Sequence, residues 1–129
     1  MAQVLLESKL GNNIKEIGSA GTAAMVGHPA AEQSQELMTE RGLDLTRHRA
    51  RQLTPELIIQ SDLILVMETA QQKAVEAILP SARGRVHRLG KWGEFDIPDP
   101  YKASREKYMM ALHLIDQGIK EWLEKVWGQ

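Results

Sequence analysis

The stretch SDLILVMETA, residues 61–70, contains a continuous apolar run that constrains the fold more than any other feature of the sequence. Such a run is typical of a strand that is buried on both faces in a parallel sheet. Helix signals flank it, because Thr54 and Pro55 can begin one helix and Thr69 can cap another that Pro80 ends. Helices that alternate with short strands predict an α/β fold with a parallel sheet.

Apolar spacing and boundary residues predict five further elements. In chain order they are a helix over 1–10, a strand over 14–17, a helix from Pro29 to a stop at Gly42, a strand over 86–89 and a last helix capped by Ser104. The last helix has an apolar stripe at helical spacing, made of Tyr108, Leu112, Ile115, Ile119, Trp122 and Val126. The length suits one domain over 1–129, and no repeat or linker interrupts it.

Composition excludes several classes of function. The net charge of −1 gives no overall field for nucleic acid or for an anionic membrane, and no apolar run is long enough to span a bilayer. The first residues lack a basic region and a cleavage site, so no signal peptide and a cytoplasmic location are expected. The sequence has no cysteine, no histidine pair at ligand spacing and no glycine-rich nucleotide motif, so neither a metal nor a cofactor is expected.

The loop EFDIPDPY, residues 94–101, is the strongest candidate for a functional site. Pro98 and Pro100 fix the backbone on both sides of Asp99, which holds one carboxylate in a defined place beside the ring of Tyr101. Asp99 can act as a general acid, or it can be a turn carboxylate that caps the following helix. The other two acids of the loop are expected to be solvated.

Two shorter stretches are ambiguous by themselves. The basic residues Arg47, His48, Arg49 and Arg51 could bind phosphate or nucleic acid, but a solvated loop before a helix is the favoured interpretation because the rest of the chain is not basic. Small residues in SAGT, beginning at Ser19, let the backbone approach an anion, which is a weak signal alone.

Taken together and in this order, five stretches resemble the low-molecular-weight protein tyrosine phosphatases, especially the bacterial ones. They are IGSAGTAAMVGHPA, RGLDLTRHRARQLT, SDLILVMETA, ARGRVHRLGKWGEFDIPDPY and the final amphipathic helix. The resemblance covers essentially the whole chain. It implies a three-layer αβα arrangement around a short parallel sheet, the flavodoxin-like phosphatase I fold. It also implies hydrolysis of phosphotyrosine through a phosphocysteine, with a phosphotyrosine protein as partner, in bacteria often a tyrosine autokinase.

The resemblance also implies roles for single residues. Asp99 matches the general acid that protonates the tyrosine leaving oxygen and then acts as base on the hydrolytic water. Tyr101 matches an aromatic wall of the substrate pocket, and Met25 lies in the segment that matches the opposite wall. Ser19 and His48 match residues that hold the shape of the phosphate loop through hydrogen bonds.

One part of the family pattern is missing. The family carries a C-x5-R-S loop after its first strand, whereas this sequence has no cysteine and its opening MAQVLLESKL resembles the helix that follows that loop. We therefore expect a chain that is truncated at its N-terminus, that lacks the first, central strand and the phosphate loop, and that is inactive as it stands. An unfilled sheet position predicts a homo-oligomer or a strand swap.

Two other functions stay open at this point. The first is a non-catalytic pseudophosphatase that binds partner protein through the remaining edge of the pocket. The second, which is less favoured, is a protein similar to arsenate reductases on the same scaffold, because that chemistry also needs cysteines and the PDPY motif favours the phosphatases.

Overall fold

The computed structural model describes residues 1–11, 16–21 and 25–127. Within these residues, five α-helices accompany a two-stranded parallel sheet. In chain order the elements are α1 (Ala2–Leu10), α2 (Glu32–Glu40), α3 (Pro55–Gln60), β1 (Ile64–Val66), α4 (Thr69–Ile78), a 3-10 helix (Pro80–Ala82), β2 (Val86–Arg88) and α5 (Arg105–Lys125).

The chain divides into two compact units. The sheet unit consists of residues 53–99 and 113–129, and the helix unit consists of residues 1–52 and 100–112, so α5 contributes residues to both. The single domain expected over 1–129 stays a prediction.

The sheet unit contains the apolar run as β1. Ile64 pairs with Val86 and Val66 pairs with Arg88, in parallel register, and α4 connects the two strands. Val66 is buried, but Ile64 and Leu65 are only partly buried. The prediction of a strand buried on both faces is therefore wrong for these two residues. Within the described residues the sheet has only two strands. Each strand therefore has fewer neighbours to cover it than a strand in a wide sheet has.

Capping residues set the helix boundaries in the sheet unit. The side-chain oxygen of Thr54 accepts a hydrogen bond from the amide of Leu57 at 3.3 Å, and Pro55 occupies the first position of α3, as predicted. The predicted cap of α4 is wrong by one residue. Glu68 has the extended backbone of a cap and forms a capping box with Gln71, and Thr69 is the first helical residue.

Apolar side chains from both strands, from α3, from α4 and from the 3-10 helix form the core of the sheet unit. Its buried members are Ile58, Val66, Val75, Ala82 and Val86, with Leu53, Ile64 and Leu79 packed against them. Further along, Trp122 of α5 donates its indole N–H to the carbonyl of Arg88 at 3.2 Å. Val126 is 49% exposed, so the predicted apolar stripe of α5 ends before it.

The helix unit has buried apolar residues on α1, on α2 and in the first turns of α5. Its buried residues include Leu5, Leu6, Leu10, Leu37, Met38, Tyr108 and Leu112. The helix predicted from Pro29 begins only at Glu32, because Pro29 instead forms an antiparallel bridge with Arg49. Gly42 follows the end of α2 with a φ of 75°, which confirms it as the stop.

The strand predicted over 14–17 is only partly within the described residues. Positions 14 and 15 lie outside them, and Glu16 and Ile17 do not belong to a strand. The nearest pairing in the described chain is a parallel bridge between Gly21 and Gln52, in which the amide of Gly21 donates to the carbonyl of Arg51 at 3.0 Å.

Candidate active site

The loop that carries Asp99 is fastened to the sheet through Ile97. The amide of Ile97 donates to the carbonyl of Met67, the residue directly after β1, at 2.9 Å. The side chain of Ile97 is buried, with 2% of its surface exposed. The loop is therefore anchored at the carboxyl end of a parallel strand, which is the edge where α/β folds bind ligands.

Asp96 provides a second anchor for the same loop. Its carboxylate accepts hydrogen bonds from the amide and the hydroxyl of Thr69, both at 3.1 Å, and from the guanidinium of Arg88 at 3.0 Å. The amide of Thr69 and then the side chain of Arg88 hold the pKa of Asp96 below its usual range. Asp96 is exposed, as expected of a solvated loop residue, and it also anchors the loop through these contacts.

Asp99 follows two residues after the Ile97 anchor, between Pro98 and Pro100, and it is exposed. Both prolines restrict the backbone around it, as the sequence indicates. An exposed carboxyl group on a loop that is anchored twice can meet a substrate in one defined orientation, which general acid catalysis requires.

The two predicted wall residues lie together in the helix unit. The hydroxyl of Tyr101 is 3.7 Å from the sulfur of Met25, and the two side chains are 51% and 48% exposed. A turn holds Tyr101, because the amide of Ala103 donates to the carbonyl of Pro100 at 2.7 Å. The ammonium of Lys102 lies 5.4 Å from the centre of the tyrosine ring. The pair presents an aromatic and a thioether surface to solvent.

Ser19 has two partners that the sequence alone does not reveal. Its hydroxyl donates to the side-chain oxygen of Gln3 at 2.6 Å, and its carbonyl accepts from Nε of Arg51 at 2.8 Å. Gly18 allows this approach, since a Cβ there would overlap the Arg51 guanidinium. Gln3 and Arg51 therefore fix the backbone around Ser19.

His48 lies in a turn of the helix unit and is partly buried. Its amide donates to the carbonyl of Leu45 at 3.2 Å, and Arg49 donates to the carbonyls of Thr46 and His48 at 2.9 and 2.7 Å. Burial lowers the pKa of His48, and the positive charges of the amino terminus and of Arg49 lower it further. Because Arg49 and Arg51 both bind backbone carbonyls, this basic stretch fits a structural loop better than a patch for nucleic acid.

The described residues form neither a metal-binding cluster nor a membrane-spanning helix. No group of three or more metal-binding side chains lies within residues 1–11, 16–21 and 25–127. In the same part of the chain, no helix is both long and apolar enough to cross a membrane.

Comparison with known proteins assigns the chain to a family. The sequence model of the family described as "Low molecular weight phosphotyrosine protein phosphatase" matches residues 1–129. The chain belongs to this family. The fold class expected from the sequence, an α/β fold of the flavodoxin-like type with a small parallel sheet, is confirmed for this phosphatase family member.

Relatives from this phosphatase family are similar to the chain in sequence and in structure. "Probable low molecular weight protein-tyrosine-phosphatase EpsP" of Ralstonia solanacearum is 40% identical over 126 residues, which are 98% of this chain and 86% of the relative. Wzb of Vibrio vulnificus, solved with benzylphosphonate, is 39% identical with a TM-score of 0.90, covering 97% of this chain and 88% of Wzb. Wzb of Escherichia coli K30, solved with sulphate, is 37% identical with a TM-score of 0.89, covering 97% and 87%.

Sequence patterns found the acid loop of this phosphatase family member but missed the contacts by which three residues hold Ser19 and the acid loop in place. Gln3, Arg51 and Asp96 contact partners that lie 16, 32 and 27 positions away in the chain. No local spacing marks such pairs. The one usable signal was glycine at position 18, which indicates a close approach without naming the partner.

Proposed function

We propose that this protein contributes the proton donor, Asp99, to a phosphotyrosine phosphatase site. The observation that carries the proposal is the loop anchored twice, through Ile97 and Asp96, at the carboxyl ends of β1 and β2. Membership of the tyrosine phosphatase family supports the same assignment. The proposed partner is a phosphotyrosine protein, for which a bacterial tyrosine autokinase is the leading candidate. The cytoplasmic location expected from the sequence stays a prediction.

The chemistry of the proposed site has two steps. In the first, a cysteine thiolate attacks phosphorus while the phosphorus–oxygen bond of the tyrosine breaks, and the Asp99 carboxyl gives its proton to the leaving oxygen. In the second, the Asp99 carboxylate takes a proton from water as that water attacks phosphorus and the thiolate leaves. Tyr101 and Met25 would contact the phenyl ring, and Ser19 and His48 would hold the phosphate loop.

The 129 residues contain no cysteine, so we propose that they do not complete this reaction by themselves. Neither Ser19 nor Ser34 is placed to supply a substitute nucleophile. Ser19 donates its proton to the amide oxygen of Gln3, which is not a base, and Ser34 is buried. A site without the thiolate and the anion-binding loop would lack the largest electrostatic contribution to such a reaction.

Hydrolysis of an aryl phosphate tests this proposal. The 129-residue chain should give no turnover above the buffer rate. A fused chain, in which a β-strand and a C-x5-R-S-P loop precede Met1, should hydrolyse the ester, and Asp99→Ala should remove most of that activity. Glu94→Gln is the matched control, because it alters a carboxylate of the same loop without touching either anchor. Turnover by the unfused chain that Asp99→Ala abolishes would refute the proposed inactivity.

The absence of cysteine also favours a second function, a non-catalytic module that binds partner protein. Titration calorimetry of the 129-residue chain with a phosphotyrosine peptide and with its unphosphorylated form separates the two. Binding of either peptide by the unfused chain, together with a fused chain that stays inactive, would favour the binding module. The homo-oligomer or strand swap expected from the sequence remains part of the proposal, and a monomeric mass in sedimentation at assay concentration would contradict it.

A further inference from the structure

We propose that Asp96 is a positioning residue for Asp99, because its carboxylate fastens the loop of the proton donor to α4 and to β2. This inference rests on the proposed role of Asp99 as general acid. Asp96 itself does not need to contact substrate. Its function is to limit the positions that Asp99 can adopt, three residues further along the chain.

The contacts of Asp96 link three separate segments. Oδ2 accepts from the amide of Thr69, and Oδ1 accepts from both the Thr69 hydroxyl and the guanidinium of Arg88. Thr69 is the first residue of α4, and Arg88 is the last residue of β2. Hydrogen bonds to a charged carboxylate are shorter and stronger than those between neutral groups. One side chain therefore joins the loop to the ends of a helix and of a strand.

Arg88 is itself held in place by α5. Its carbonyl accepts from the indole of Trp122 at 3.2 Å, and Trp122 is 3% exposed. The guanidinium that binds Asp96 thus extends from a backbone that a buried side chain fixes. This makes the Arg88–Asp96 contact a defined attachment point, although both side chains are partly open to water, at 25% and 39% exposure.

The same loop is fixed again one residue later. Ile97 is buried, and its amide binds the carbonyl of Met67. With Asp96 and Ile97 both anchored, only Pro98 stands between the attached segment and Asp99. The rigid ring of Pro98 leaves little backbone freedom there. A loop with two successive anchors and a following proline transmits the position of the anchors to Asp99.

Asp96 could instead serve only to cap α4, but that helix already has its own cap. The side chain of Gln71 accepts from the amides of Met67 and Glu68 at 2.8 and 3.2 Å, and Glu68 completes the capping box. Thr69 is exposed, so water can replace Asp96 at its amide. Loss of Asp96 should therefore release the loop and leave α4 folded.

Nuclear magnetic resonance of the 129-residue chain separates these two roles. Asp99 is the reporter of the loop, and the amide of Gln72, which binds the Glu68 carbonyl at 3.2 Å, is the reporter of α4. In the unaltered chain the order parameter of the Asp99 amide should be near that of rigid backbone, about 0.85, and in Asp96→Ala it should fall below about 0.6. Exchange of the Ile97 amide should become roughly threefold to tenfold faster, while exchange at Gln72 changes by less than about twofold.

Two further variants complete the test. Glu94→Gln is the control in the same loop and should leave Asp99 as ordered as before. Arg88→Met keeps the length of the stem and removes one of the three contacts, so it should lower the order parameter of Asp99 by less than Asp96→Ala does. It also provides a measurement if Asp96→Ala fails to fold.

The inference is wrong if Asp99 stays ordered in Asp96→Ala, or if Gln72 loses protection as much as Ile97 does. The first result would mean that the loop holds Asp99 without Asp96, and the second that Asp96 only caps α4. Because these measurements need no turnover, they are independent of the hydrolysis assay. Suppose that Asp99 is ordered in the unaltered chain and loses order in Asp96→Ala, but the fused chain is inactive. The proposed function would then be rejected, and the positioning role of Asp96 would stand.

Discussion

Replacement of Gly118 by alanine tests how closely α5 packs on the sheet. Gly118 is buried in the middle of α5, and a Cβ there would lie 2.8 Å from Cγ of Leu89 and 2.9 Å from the Leu89 carbonyl oxygen. The oxygen belongs to the backbone, whose amide is tied to the carbonyl of Val66 at 2.8 Å. Neither atom can move away without disturbing the end of β2.

Two opposing effects decide the sign of this change. Alanine is favoured over glycine inside a helix by about 1 kcal/mol. Forcing a methyl group into a packed interior costs about 1–3 kcal/mol, and contact with backbone places this site in the upper part of that range. We therefore expect a net loss of stability of about 1–2 kcal/mol, or a decrease in melting temperature of about 3–10 °C for a chain of this length.

Urea unfolding followed by tryptophan fluorescence measures this loss, because all three tryptophans lie in the sheet unit. The midpoint should fall while the slope with urea stays the same, which is the mark of a change in stability alone. The neighbouring Gln117→Ala is the control, because Gln117 is exposed and its replacement should change stability by less than about 0.5 kcal/mol. If Gly118→Ala proves as stable as the parent or more so, helix propensity outweighs packing and the close α5–Leu89 contact is not real.

Two further predictions concern the core and the acid loop. Ile58→Ala, at a fully buried position, should destabilise the sheet unit by about 2–5 kcal/mol, whereas Ile59→Ala, at a position 63% exposed, should cost less than about 0.5 kcal/mol in the same urea assay. The pKa of Asp96 is lower in the folded chain than in the unfolded chain. Its contribution to the stability of the fold is therefore complete above the ordinary pKa of aspartate and is lost as the pH falls through the lowered pKa. The order of the Asp99 amide should therefore decrease only under strongly acidic conditions, and Asp96→Asn should remove that pH dependence.

Local signals in the sequence were sufficient to predict those structural features that depend on residues close together in the chain. Thr54 and Pro55 predicted the start of α3, Gly42 predicted the end of α2, and the spacing from Tyr108 to Trp122 predicted the buried face of α5. Each of these depends on backbone conformation or on side-chain periodicity within a few residues. Family resemblance extended this to the fold class, whereas the roles of the candidate site residues stay predictions.

Errors arose where a distant contact overrides the local signal. Pro29 resembled a helix start, but its pairing with Arg49 keeps it outside α2. Asp96 is solvated, as predicted, but its anchoring contacts were not foreseen, because Thr69 and Arg88 converge on it from a helix and a strand. A single sequence carries no record of which residues meet across 20 or 30 positions, so the anchors of the acid loop became visible only in three dimensions.

The central claim is that Asp99 delivers a proton to the leaving phenol oxygen, and the dependence on the leaving group tests it most directly. Cleavage of phenyl phosphate and of an aryl phosphate with an electron-poor phenol should be compared in the fused chain, with and without Asp99→Asn. The variant should lose about 10²–10⁴-fold in kcat/KM, which reports only the first step, with phenyl phosphate, whose leaving oxygen needs the proton, and much less with the electron-poor ester. Equal losses with both esters, or no loss with either, would contradict the assignment of Asp99 as the general acid.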